Sequence, residues 1–390
     1  MLKLGRLPGR VSLLAVVIVA VLATGTWFAM NHDQVKQTLL SSQTPAGGSA
    51  HQQAQAVPLQ VVSVTPAKHA RHVNGAAPVE VDFSTALAAD SPMPVIKPKI
   101  AGSWQGIGTA QLKFVPRTSF KPRAHVTVRI PGGTAGVRSA AGGTLPKRMT
   151  VKFRVGRYST LRLDQLLAQL KYLPLKWAPA TTVTPALATD ANAQRSAAFD
   201  PPDGVFTWKH GYPAELRTFW ADGKPSLILQ GAIMAFENAH GMAMDGVAGP
   251  AVWRAMFKAV ANGQDNAQGY TYARATKYSP ETLTIWHNGH KVFHELANTG
   301  IPAAPTASGT APVYLRYRNQ IMRGTNPDGS KYADPVQFVA YFRAGEAVHY
   351  FPRGSYGSPQ SLGCVELPLD AAAKAWPFLT YGSLVTVTNP

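Results

Sequence analysis

The sequence predicts a mainly β, multidomain protein: a β-sandwich, a small α-helical module and a β-rich C-terminal domain, preceded by one N-terminal transmembrane helix. Three observations predict it. Short alternating or β-branched runs, separated by Gly, Pro and Ser, recur over 58–157 and again over 263–390, the pattern of strands and turns. Between them, leucines and other apolar residues fall at helical spacing. Near the start, residues 11–30 run without a charge. A chain of 390 residues has room for two or three domains, each with its own core.

Taken in order, residues 1–10 carry Lys3, Arg6 and Arg10, and the uncharged run that follows spans about 30 Å as a helix, enough to cross a bilayer. Basic residues before it and none in the first five after it put the N-terminus in the cytoplasm. A cleaved secretory signal is the alternative, but no small-x-small site follows promptly, so the reading is an uncleaved anchor in the cell membrane. Either way the remainder lies on the extracytoplasmic side. Residues 31–57, rich in Gln, Ser, Ala and Gly, form a flexible linker.

Over 58–157, strands are expected at 59–64, 79–83, 111–115, 125–130 and 150–155, giving the sandwich. His69, His72 and His125 are isolated there and form no metal site. Residues 158–262 form the helical module. Leu163, Leu166, Leu167 and Leu170 share one helical face, and Pro174 ends the run. The stretch 178–198 reads as a low-complexity linker. Further helices are expected over 227–239 and from Pro250, where proline suits the first helical position. In 263–390 the dipeptide Asn288-Gly289 marks a hairpin, followed by strands at 313–317, 337–342, 347–350 and 383–388 and a short helix at 369–376.

Lys plus Arg outnumber Asp plus Glu by 38 to 20, a formal charge of +18. The basic residues are scattered singly and no nucleic-acid-binding signature occurs, so the charge points to an anionic cell wall and not to nucleic acid. His287, His290 and His294 bracket a hairpin without a fourth ligand, and no Gly-x-Ser-x-Gly elbow is present; neither a metal nor a serine hydrolase is expected. The chain holds one cysteine, Cys364, in the run Ser361-Leu362-Gly363-Cys364-Val365-Glu366-Leu367, with His349 upstream. A lone thiol is either a small buried hydrophobe or a nucleophile, and a nearby histidine is the residue type that activates a thiol.

These residues, with Gly354, Gly357 and the upstream Asn298-Thr299-Gly300…Pro305-Thr306-Ala307-Ser308-Gly309, resemble the active-site signature of the L,D-transpeptidases, whose catalytic domain is of YkuD type. The sandwich resembles a bacterial immunoglobulin-like domain. The run 230–237 with Asp245-Gly246 and Gly249-Pro250 resembles a peptidoglycan-binding helical module. The resemblance implies that Cys364 is the acylated nucleophile, that His349 is its base, and that the backbone carbonyl of Tyr350 orients the imidazole. It also implies an oxyanion hole from the N–H groups of Gly363 and Cys364 and a loop held by Ser361. Tyr332, in a loop expected over 325–333, and Arg353 are candidate substrate contacts, with a solvated loop residue as the alternative for each. Many relatives have a second histidine where Leu362 stands, which leaves His349 as the base in this motif. The implied reaction joins a donor and an acceptor peptidoglycan stem peptide by a 3→3 crosslink through a thioester, without metal or cofactor. Carbapenem-type β-lactams would acylate the same thiol. A non-catalytic wall-binding scaffold, or attachment of a protein amine to the stem, are the alternatives.

Overall fold

The computed structural model describes residues 57–389 apart from 184 and 186–188. The first turn-punctuated stretch folds into β1 (Val61–Thr65), β2 (Val79–Phe83), β3 (Val95–Lys97), β4 (Gly102–Gln105), β5 (Gln111–Pro116), β6 (His125–Ile130) and β7 (Met149–Arg154). These form two sheets, ordered β1-β2-β5-β4 and β3-β6-β7. Val79, Val81 and Phe83 of β2 and Val126, Val128 and Ile130 of β6 are buried in one core, because alternate strand residues face opposite sides of a sheet. β3 and β4, of three and four residues, are too short to show that alternation in sequence.

Next come α1 (Thr160–Gln169), β8 (Leu175–Pro179), α2 (Ala191–Phe199), β9 (Gly204–Trp208), α3 (Leu227–Ala239) and α4 (Pro250–Ala261). The linker expected over 178–198 is corrected. Asp190 Oδ1 accepts from the N–H groups of Asn192 and Ala193 at 3.0 and 2.9 Å and so starts α2. Alanine-rich sequence that looks featureless is also helix-forming. β8 and β9 pair antiparallel on either side of that helix. One core joins Leu166, Ile233, Phe236 and Trp253 of the helices to Tyr272, Trp286 and Leu384 further along the chain. The apolar helix faces are therefore taken up in packing, and the expected peptidoglycan-binding module is not shown.

A second part of the expected fold class is also corrected. Among the described residues no helix is long and apolar enough to cross a membrane. The longest, α3, has 13 residues, about 20 Å of helix. The span expected at 11–30 lies outside the described residues. What stands is a mainly β, multidomain architecture.

The C-terminal part contains β10 (Thr271–Thr276), β11 (Thr282–His287), β12 (His290–Leu296), β13 (Gly309–Pro312), β14 (Leu315–Thr325), β15 (Lys331–Arg343), β16 (Glu346–Tyr350), β17 (Val365–Leu367), α5 (Leu369–Ala375) and β18 (Leu384–Thr388). They build sheets β12-β11-β10-β18-β13 and β14-β15-β16-β17. Asn288 and Gly289 both have positive φ, which is what the two-residue hairpin between β11 and β12 requires. The core draws Ala273 and Ile285 from the first sheet, Val348 and Val365 from the second, and Ala371 and Ala372 from α5. The segment 325–333, expected as a loop, is strand at both ends, at Thr325 and over 331–333, with a turn over 326–330 between. Gly324 pairs with Tyr332 and Thr325 with Lys331, so only a tight turn separates β14 from β15.

Candidate active site

β16 lies between β15 and β17, and its pairing with β17 is parallel: Val348 faces Val365, His349 faces Glu366 and Tyr350 faces Leu367. This register places Ala347 beside Cys364, the residue before β17. Because side chains alternate, Ala347 and His349 share a face with Cys364 and Glu366, while Val348, Val365 and Leu367 turn into the core. His349 is two residues further along the strand than Cys364, about 7 Å. Both line a cavity of about 300 Å³ together with Tyr332, Arg323, Arg353 and Glu366.

The loop before Cys364 is held from beneath. Ser361, fully buried, donates from Oγ to the Cys364 carbonyl at 2.6 Å and accepts from the Gly363 N–H at 3.1 Å. Thr306 Oγ1 donates to the same carbonyl at 3.3 Å and accepts from the Gly300 N–H at 2.7 Å, tying in the 298–309 segment. Glu366 exchanges both backbone hydrogen bonds with Asn298. Gly363 has φ +111°, a backbone conformation that a Cβ disfavours, which accounts for glycine before the cysteine.

His349 is buried, with Nδ1 2.9 Å from the Tyr350 carbonyl oxygen. A carbonyl only accepts, so Nδ1 carries the proton and Nε2 is left as the basic nitrogen. Burial lowers the imidazole below its ordinary value, opposed by the Tyr350 hydrogen bond and the charge of Glu366. Burial pushes the Cys364 thiol up to about 12, opposed by the Ala347 N–H and reinforced by Glu366 and Glu346. Thiol and imidazole are therefore both neutral at pH 7.

Two expected roles meet a different geometry. The Gly363 N–H is already bonded to Ser361 Oγ, which leaves the Cys364 N–H as the donor remaining from the expected pair. Arg353 reaches the cavity, but its Nε and Nη2 each donate to a Glu366 carboxylate oxygen at 2.8 Å. Tyr332 lines the cavity from β15. His287 Nδ1 and His294 Nδ1 lie 3.0 and 2.9 Å from the hydroxyls of Thr271 and Thr284. Sequence reasoning does not reach Glu366 or Arg323. A charged residue inside the apolar run Val365-Glu366-Leu367 is the one visible signal for Glu366; Arg323 is marked by nothing but its place on β14.

Residues 275–387 match the family model described as the L,D-transpeptidase catalytic domain, YkuD. The chain carries an L,D-transpeptidase catalytic domain. The enzyme is thus an acyltransferase, and its residues 55–155 match the bacterial Ig-like domain. No curated protein matches the chain. Solved structures similar to this transpeptidase include an L,D-transpeptidase from Mycobacterium smegmatis, 14% identical with TM-score 0.29, covering 85% of this chain and 100% of that one. L,D-transpeptidase 3 from Mycobacterium tuberculosis is 14% identical with TM-score 0.28, covering 84% and 98%. The catalytic domain of the E. faecium L,D-transpeptidase is 22% identical with TM-score 0.28, covering 30% and 96%. At such scores the assignment rests on the domain match and not on these likenesses.

Proposed function

We propose that this transpeptidase forms 3→3 crosslinks in peptidoglycan, on the cell-wall side of the cell, with Cys364 as its nucleophile and His349 as its base. The observation that carries the reading is the Nδ1 contact of His349 to the Tyr350 carbonyl, which leaves Nε2 free on the face it shares with Cys364. With both groups neutral at rest, proton transfer accompanies attack. Sγ bonds to the carbonyl carbon of the diamino acid L-centre in a donor tetrapeptide stem while its proton passes to Nε2. The tetrahedral oxyanion takes the Cys364 N–H. The bond to the terminal D-Ala nitrogen breaks, and the amine leaves with the proton from His349. The side-chain amine of a second stem then attacks the thioester, passes its proton to Nε2 and restores the thiol. A β-lactam carbonyl of carbapenem type fits the first step and stops there.

Cys364 is the only cysteine in the chain, so intact mass after incubation with a carbapenem reports on it alone. Wild type should gain one adduct and form crosslinked stem dimers; Cys364→Ala should do neither. His349→Ala should acylate about 10²- to 10⁴-fold more slowly at neutral pH. Wild-type acylation should rise as pH climbs through the lowered imidazole value and level off by pH 7. An unmodified wild-type chain would favour a non-catalytic wall-binding role instead.

A further inference from the structure

Arg353 and Glu366 stand where a substrate contact is expected, yet they are bound to each other. The guanidinium makes a two-pronged contact, 2.8 Å on each side, with a carboxylate whose side chain is 5% exposed. The arginine also lies over the Phe351 ring, 4.6 Å from its centroid, and Phe351 meets the His349 imidazole edge-on at 6.4 Å and 89°. Glu366 is directly opposite His349 in the strand register and two residues beyond Cys364 on the same face. An ion pair with one partner buried gives little stability over an apolar pair of the same volume, so its placement in the wall of the cavity calls for a reason other than stability.

We propose that Arg353 and Glu366 are positioning residues for the acylation step, doing two things at once. Through Phe351 the arginine holds the His349 ring against the cavity wall. Through charge, each cancels the other beside the thiol, so that Cys364 faces a neutral wall instead of a bare carboxylate that would oppose the thiolate. Glu366 is anchored for this by its paired backbone bonds to Asn298, and the planar guanidinium matches the carboxylate fork, which lysine does not. The other charged or titratable groups around the thiol and imidazole are Glu346 on β16, Tyr332, Asp334 and Tyr341 on β15, Arg323 on β14, and Tyr356. Among the described residues none of these is in a salt bridge with Arg353 or Glu366.

The inference rests on the nucleophile and base assigned above, and its test separates the two. In the full chain, two rates are measured at pH 8: alkylation of the single thiol by iodoacetamide, and acylation by a carbapenem. Glu366→Gln leaves Arg353 uncompensated near Cys364, so more thiolate forms and alkylation should rise about tenfold. The same change weakens the two-pronged contact that orients Arg353 over Phe351 and so the His349 ring, and acylation should fall about tenfold. Arg353→Lys keeps the charge and loses the fork; alkylation should stay within about twofold and acylation should fall. Both rates unchanged in Glu366→Gln, or both moving in one direction, would overturn the proposal. If that variant shows no cooperative melt, Arg353→Lys decides: a wild-type acylation rate there overturns it equally. A wild-type chain that takes no carbapenem would instead sink the nucleophile assignment.

Discussion

Ser361 spends its hydroxyl twice, on the Cys364 carbonyl and on the Gly363 N–H, with no solvent exposure. Ser361→Ala removes both contacts and leaves the Gly363 N–H buried without a partner, a loss of about 1–3 kcal/mol. The melting temperature should fall accordingly, and carbapenem acylation should slow by about tenfold or more as the loop loses its geometry. An unchanged acylation rate with a lowered melting temperature would show that Ser361 serves stability alone. At this scale the sequence was most legible at Cys364, His349 and Ser361, which sit in one motif or close to it. It was least legible at Arg353, because twelve intervening residues hide its bond to Glu366.

Two helices each bury a carboxyl outside the cavity that His349 and Cys364 line. Asp164 on α1 accepts from the Gly223 N–H at 2.7 Å and leaves Oδ1 buried without a partner; Glu237 on α3 accepts from the Gly246 N–H at 2.9 Å. Burial raises both to about 7. A carboxyl raised above its unfolded value favours folding while it is protonated, so the contribution is full below about pH 4 and is lost as pH rises through 7. Asp164→Asn keeps the acceptor for Gly223 and removes the titration. Its melting temperature relative to wild type should therefore climb between pH 5 and pH 8, by an amount equivalent to a few kcal/mol at most. A constant difference across that range would contradict a titrating Asp164. The helices themselves were readable from leucine spacing and from Pro250, whereas α2 was not, since its start depends on a single capping aspartate.

Across the whole described chain, the helices and the transpeptidase domain share a core. Tyr272, Trp286 and Leu384 pack against Ile233, Phe236 and Trp253, and Gly231 of α3 approaches Gly382 so closely that a Cβ would stand 2.4 Å from its carbonyl oxygen. Each large apolar side chain uncovered costs about 1.5–3 kcal/mol, and several together rival the stability of a domain. Residues 263–390 expressed alone should therefore be poorly soluble or bind a hydrophobic dye, while 158–390 should not. A soluble, cooperatively melting 263–390 fragment would show that the helices are dispensable.

By itself the sequence determined the mainly β character and the hairpin at Asn288-Gly289, and it singled out the run 361–367 with His349 as the candidate site, because each is written in neighbouring residues. Only the tertiary structure decided that Tyr332 is on a strand, that the helix faces pack on one another and on the catalytic domain, and that Arg353 is held by Glu366. Those depend on strand register and long-range packing, which bring together residues whose separation along the chain carries no signal of their contact.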